Sequence, residues 1–199
     1  MLGGLPGGVA RWIPVVAVSL LAAPLAYVAV RLLERGRRDR PAPPETVRRQ
    51  ALAEVGMVAG TIPWLWMILT PLPAPREVKP IPLVDLVDLL TGSPAVAFFQ
   101  VVGNLLVFAA FGYFAPMRWR LGPWTVVAMA AAASAIVELL QYALNLGRVS
   151  SVDDVLLNAA GSGLAALASR RVWAAARQES RERGASAGEP RSSEARPVP

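Results

Sequence analysis

Five long apolar blocks run along the chain, separated by short polar segments. They are "WIPVVAVSLLAAPLAYVAVRLL" (Trp12 to Leu33), "ALAEVGMVAGTIPWLWMILT" (Ala51 to Thr70), "AVAFFQVVGNLLVFAAFGYFA" (Ala95 to Ala115), a block from Trp124 to Leu144, and "VLLNAAGSGLAALASRRVW" (Val155 to Trp173). A helix rises ~1.5 Å per residue, so about 20 apolar residues cross the ~30 Å hydrocarbon core of a bilayer. Each block is near that length, and none alternates polar with apolar as a strand would. The pattern predicts an all-α, polytopic integral membrane bundle of about five transmembrane helices. The first block reads as an anchor and not as a cleaved signal, because "MLGGLPGGVA" carries no basic n-region and the apolar run is long.

The segments between the blocks divide the chain into residues 1–50 (first helix and basic linker), 51–173 (the main membrane domain) and 174–199 (a charged tail). "ERGRRDRPAPPETVRRQ", Glu34 to Gln50, reads as a surface linker. In "PLPAPREVKPIPLVDLVDLLTGSP", Pro71 to Pro94, the prolines exclude a long helix from the first half. Asp85 and Asp88 would share one face of a helix lying flat on the membrane, with a partly ordered loop as the alternative. "PMRWRLGP" is a short link between the third and fourth spans. Within the second span, Pro63 is a candidate kink, Trp64 and Trp66 suit an interface, and Glu54 is expected to reach the headgroups. The tail from Ala174 is rich in Pro, Gly, Ser and charge and is expected to be disordered.

Composition strengthens this reading. Of 199 residues, 54% are hydrophobic and 17% charged, with a mean hydropathy of +0.44; soluble domains are more polar. The absence of Cys and His excludes disulfides, thiolate metal sites and any Ser–His–Asp mechanism. No cofactor is indicated. The net charge of +6 comes from cations that flank apolar blocks without aromatic interleaving, so membrane placement explains it and nucleic-acid binding does not. Sixteen of the 20 Lys and Arg fall in the first linker with Arg31, the Pro116–Pro123 link and the chain from Arg170 onward. A five-span path puts all three on one side. The positive-inside rule makes that side cytoplasmic, C-terminus included, in a multi-pass protein of the inner (cytoplasmic) membrane.

Against this background, "ELLQYALNLGRVSSVDDVLLN" (Glu138 to Asn158) stands out. Counting from the outer surface, Glu138 lies about 12 Å deep, Gln141 about 8 Å, Asn158 about 6 Å and Asn104 of span three about 12 Å. Arg148, Asp153 and Asp154 sit just above them. Glu138, Gln141 and Asn145 share a helical face, as do Asp154, Asn158, Gly161 and Ala165, and Gly161 with Ala165 permits close helix approach. A carboxylate at this depth costs several kcal/mol in lipid, about 2.5 or more by insertion scales. Glu138 is therefore expected to face protein, neutral, paired with Arg148, or bonded to Gln141 and Asn104. Plainer roles stand beside this. Asn104, Gln141 and Asn158 can be interhelical hydrogen-bond glue, Ser151 with Asp154 fits a capping box, Arg148 can snorkel to headgroups, and Gly147 suits a helix C-terminal cap. Glu138 is the residue these roles explain least.

The same residues resemble the VanZ-like family of bacterial membrane proteins over roughly Ile81 to Leu167. "NLLVFAAFGYFAP" is similar to the family's Asn–apolar–Phe–x–Pro–x–Gly helix. "ELLQYALNLGRVSSVDDVLLNAAGSG" is similar to its Glu–x–x–Gln helix, Arg-containing loop and Asp–Asp–x–x–x–Asn–x–x–Gly helix. "PIPL" resembles the preceding Ile–Pro–Phe segment, with Leu83 in place of Phe. The resemblance singles out Asn104, Phe108, Gly112, Glu138, Gln141, Arg148, Asp153, Asp154, Asn158 and Gly161. Ala110 stands where the family usually has proline, which puts a proline kink in span three in question. The resemblance implies a cell-envelope role, since members are associated with teicoplanin-type glycopeptide and lipoglycopeptide susceptibility, but no established reaction. The leading expectation is a polar outer-leaflet pocket that engages membrane lipids or an amphiphilic envelope ligand. The alternatives are an intramembrane enzyme on lipid-linked substrates, using Glu138 with Asp153 or Asp154 or a carboxylate-held Mg²⁺, and a structural or partner-binding module.

Overall fold

The computed structural model describes residues 7–39, 41–75, 77–119 and 121–187, with the backbone alone for 7–12, 85 and 173–187. Seven helices and two short strands follow in order: α1 Gly7–Gly36, α2 Pro44–Leu69, β1 Glu77–Lys79, α3 Val84–Thr91, α4 Pro94–Val107, α5 Ala109–Trp119, α6 Pro123–Ala143, β2 Val149–Ser151 and α7 Val152–Ala187. The all-α membrane bundle is thus what forms. Pro44, Pro94 and Pro123 each open a helix in its first turn, where the missing N–H has no intrahelical partner to lose and the fixed φ is already helical. α2 begins well before the expected Ala51, so the first linker shrinks to a few residues between α1 and α2.

Four helical stretches are long and apolar enough to cross a membrane: Ile13–Gly36, Pro44–Leu69, Pro94–Trp119 and Pro123–Ala143. The fifth expected span, in α7, is not among them. Its reason is internal: α7 packs along α5, α6 and α4, and Asp153, Asn158, Ser162 and Ser169 are buried in protein, so this helix does not need a lipid-compatible surface all round. α7 also continues to Ala187, which corrects the expectation of disorder from Ala174. Residues 174–187 are mostly Ala, Arg, Gln and Glu, good helix formers that extend an already nucleated helix past Ser180 and Gly184; the rest of that tail, 188–199, lies outside the described residues.

The third span is interrupted without a proline. α4 and α5 are separated by Phe108 alone, at φ −110° and ψ 12°. Its ring is buried with Val107 and Ala130 and packed by Trp64, Leu65, Ile68, Phe111 and Ala133. Glycines allow α7 to lie against this break. A Cβ at Gly161 would overlap the carbonyl of Leu105, and one at Gly112 would overlap the carbonyl of Ser162. α5 then runs on through Pro116 to Trp119, so the expected link at Pro116 is helical.

At the end where α1 and α5 finish, Glu54 is not a lone headgroup contact. Arg37 donates to both of its oxygens (3.2 and 2.6 Å) and Arg118 Nε donates to Oε1 (2.6 Å), tying α2 to the ends of α1 and α5.

Candidate functional site

At the opposite end of the bundle, α2 and α6 finish and α4 and α7 begin. α6 ends in a Schellman turn: Asn145 N–H donates to Tyr142 O (3.2 Å) and Leu146 N–H to Gln141 O (3.0 Å). The left-handed residue is Asn145, at φ 52°, not Gly147 as expected, and Asn145 therefore leaves the helical face it was predicted to share with Glu138. Gly147 has another task. At φ 63° it passes against the backbone of Leu72 and Ala74, where a Cβ has no room. Leu72 N–H donates to Leu146 O (2.8 Å), and the two loops continue as a parallel pair, Glu77 opposite Val149 through Lys79 opposite Ser151. No strand was expected here. The Pro-rich run of 71–82 lacks periodicity of its own, and its pairing is set by the second loop.

This junction spends several of the predicted site residues on helix ends. The last turn of α2 exposes carbonyls that need donors. Gln141 Nε2 donates to Ile68 O (2.9 Å), Arg148 Nη2 to Met67 O (2.7 Å), and Arg148 Nε to Thr70 O (3.2 Å). Arg148 is therefore a cationic cap on the negative end of a helix, not a snorkelling headgroup contact. Gln141, only 5% exposed, does not reach Glu138. Arg148→Ala is expected to lower stability by about 2–3 kcal/mol, because two charge-assisted hydrogen bonds vanish from a partly buried helix end. Arg148→Lys should recover only part of this, since an ammonium cannot fork across both carbonyls. Thermal unfolding of the purified protein in detergent checks both.

Asp153 is likewise committed. Its carboxylate, 3% exposed, accepts from Leu83 N–H (Oδ1, 2.6 Å) and Leu86 N–H (Oδ2, 2.8 Å), the first amides of α3. Leu83 stands at φ 68°, a left-handed conformation rare for a branched residue, and the paired acceptor from α7 holds it there. α3 is therefore a helix, as one of the two expectations had it. Asp88 lies on it; the side chain of Asp85 lies outside the described residues. Among its neighbours, Leu83, Val84, Val87 and Leu90 are exposed.

Glu138, Asp154, Asn104 and Asn158 make up what remains. Glu138 Oε2 accepts the N–H of Ser151 (3.2 Å), and its own carbonyl accepts Ser150 Oγ (3.1 Å). The expected capping box between Ser151 and Asp154 does not form: the longer Glu138 takes the Ser151 amide across from α6, and Ser151 Oγ accepts Asp153 N–H (3.2 Å). Asp154 instead accepts Asn104 Nδ2 through Oδ1, joining α7 to α4. Asp154 lies three residues beyond Ser151, whose amide Glu138 holds, so both carboxylates stand at the start of α7. Just below, Asn158 Nδ2 donates to Ser134 Oγ (2.7 Å) of α6. Asn158 is 3% exposed and Ser134 fully buried, while Asn158 Oδ1 takes no donor among the described residues. Ser134 was not singled out from sequence, although it lies one helical turn before Glu138 on the same face.

The predicted constellation therefore gathers at one end of the bundle but splits in function. Gln141, Arg148 and Asp153 hold helix ends, Phe108, Gly112 and Gly161 set the α4–α5–α7 packing, and Glu138, Asp154, Asn104 and Asn158 form the polar contact layer between α4, α6 and α7. Among the described residues, no three His, Cys, Asp or Glu side chains gather within reach of one ion. Two open apolar grooves lie elsewhere, one between α1 and α2 and one lined by α2, α5 and α6 residues including Thr61 and Phe111 with Phe108.

The sequence profile of the VanZ/LLP1 family matches residues 57–173, more than half of the chain and from the middle of α2 into α7. Neither a curated protein nor a solved structure matches it.

Proposed function

The chain belongs to the VanZ/LLP1 family, and from that premise we propose that it acts at the bacterial cell envelope, from the inner membrane, with the Glu138 end of the bundle outside and the arginine-rich end and C-terminus in the cytoplasm. The cation distribution supports this orientation. The polar layer engages the headgroup of a membrane lipid or another amphiphile of the outer leaflet, and through it the protein changes susceptibility to teicoplanin-type glycopeptides and lipoglycopeptides. The observation that carries the reading is the polar layer in which Asn104 joins Asp154 and Asn158 joins Ser134 beside Glu138, with Asn158 Oδ1 taking no donor among the described residues. Of the charged groups beside this layer, Asp153 and Arg148 hold helix ends. A headgroup carrying donors or a cation would meet acceptors here, Asn158 Oδ1 among them.

In a strain lacking the gene, re-expressed wild-type protein should restore lipoglycopeptide susceptibility to its original level. Glu138→Gln should leave it at the level of the deletion, with equal protein in the membrane fraction. Identical susceptibility of the deletion and parent strains would remove the envelope role.

A second reading, acid–base chemistry on a lipid-linked substrate, draws on the same two carboxylates. Asp153 drops out of it because both of its oxygens are occupied. Lipid extracts of strains with and without the protein would then differ by a defined chemical conversion.

A further inference from the structure

The arginine-rich end of the bundle carries a second arrangement, independent of the Glu138 layer. Two carboxylates there are each held between two guanidiniums. Glu54 takes Arg37 and Arg118, at 2.6 Å each for the shortest contacts. Glu34 takes Arg31 at 3.1 Å and Arg48 at 3.9 Å. The Glu54 group is left with a net positive charge although its three side chains are 14–29% exposed, whereas Arg31 and Arg48 of the Glu34 group lie open. Arg118 spends only its Nε on Glu54, and its terminal nitrogens take no hydrogen-bond partner among the described residues, although the side chain is just 29% exposed. Its guanidinium plane is fixed by that bond and by Trp119, 5.8 Å from the ring centre.

A groove of about 370 Å³ reaches one member of this cluster, Glu54. It runs between α1 and α2, lined by Ala22, Ala26 and Ala29 on one side and Val55 and Ala59 on the other, and it ends on Glu54. The small residues recur at helical spacing, so the trough follows the helix axis toward the middle of the membrane. A slot with apolar walls, open to lipid and ending on Glu54 with the two guanidiniums that hold it, suits an acyl chain continued by a phosphate. We propose that the α1–α2 groove holds one anionic phospholipid of the adjacent leaflet, its chain along the alanines and its phosphate on the terminal nitrogens of Arg118, beside Arg37. Guanidinium suits this task because its fork meets two phosphate oxygens at once.

Any basic membrane face attracts anionic lipid diffusely, so the test compares a site cation with a rim cation. The full chain is purified in detergent with equal phosphatidylglycerol and phosphatidylcholine of matched chains, and retained lipid is counted by native mass spectrometry. Wild-type protein should retain phosphatidylglycerol several-fold over phosphatidylcholine. Arg118→Gln should abolish that preference, and Arg38→Gln, at an exposed position outside both clusters, should keep it. Ala26→Leu, which touches no ion pair, should reduce retained phosphatidylglycerol by filling the slot, and it carries the test if Arg118→Gln does not fold. Equal retention of the two lipids by the wild type overturns the proposal. So does an equal loss with Arg118→Gln and Arg38→Gln, or unchanged retention with Ala26→Leu.

Discussion

Replacing Gly161 with alanine is expected to force α4 and α7 apart and destabilise the bundle. Two effects oppose each other. Alanine is the better helix former by about 1 kcal/mol, which on its own would stabilise α7. Against it stands the position of the new Cβ, which would overlap the Leu105 carbonyl of α4. That obstacle is main chain, so no rotamer change relieves it; α4 and α7 must move apart. Overpacking of this kind costs about 1–3 kcal/mol and occasionally more, and here separation also weakens the Asn104–Asp154 contact that joins the same two helices. The net effect is a loss of stability, with reduced accumulation in the membrane. Gly163→Ala is the internal control. It sits in the same helix and gains the same propensity, but its Cβ meets only the Val127 Cγ2 methyl, at 2.7 Å, a side-chain atom where Gly161 meets main chain, so its cost is smaller. Unfolding temperatures of the two variants in one detergent should therefore diverge, with Gly161→Ala falling further below wild type than Gly163→Ala. Matching behaviour would show that the α4–α7 approach does not limit stability.

The glycine pattern was partly legible beforehand. Gly161 with Ala165 on one face announces a close helix contact, and apolar blocks of near-spanning length announce the bundle itself. Periodicity cannot say which helix arrives at the small face. Nor does it show that the span opposite is broken. Phe108 interrupts α4–α5 although the family's usual proline is replaced by Ala110, so the break is maintained by packing around Phe108 and the α7 glycines and not by a missing N–H.

Polar residues were legible in place more than in role. Depth counting put Asn104, Glu138, Gln141 and Asn158 at one end of the bundle, and their helices do bring them there. Partners could not be read, because they are largely backbone groups with no sequence signature: the carbonyls of Met67, Ile68 and Thr70, and the amides of Leu83, Leu86 and Ser151. A helix end is anonymous in sequence once its cap comes from another helix far along the chain. Glu138, the residue that capping explained least from sequence, takes a capping amide, and Asp154, the one it explained best, pairs with Asn104 instead. This outcome also gives the structural-module reading its due share: Gln141, Arg148 and Asp153 are held by architecture, and loss of function on mutating them would say nothing about ligand binding.

Asp153 provides the sharpest way to separate architecture from function. Asp153→Ala is expected to release α3 and lower stability by about 3 kcal/mol, because two amides lose a charged acceptor at once and each unmet buried donor costs about 1–3 kcal/mol. Nothing else on the α3 side compensates, since α3 has no side-chain cap of its own. Leu83, freed from its clasp, would leave the left-handed region, which costs a non-glycine residue about 1–2 kcal/mol to occupy; the relief of that strain makes the release harder to reverse. Asp153→Asn should be nearly as damaging despite its size. Its carboxamide offers one oxygen to the two amides and turns an NH₂ toward the other, replacing attraction with donor–donor repulsion. Glu138→Gln differs in kind, because Ser151 N–H needs a single acceptor and the carboxamide oxygen supplies one. Hydrogen exchange at Leu86 reads the difference directly. Protection there should collapse in both Asp153 variants and persist in Glu138→Gln. If Glu138→Gln also exposes Leu86, the two carboxylates belong to one structural unit and Glu138 loses its claim to a separate function. If protection persists while the envelope phenotype is lost, the carboxylate of Glu138 acts on something outside the fold.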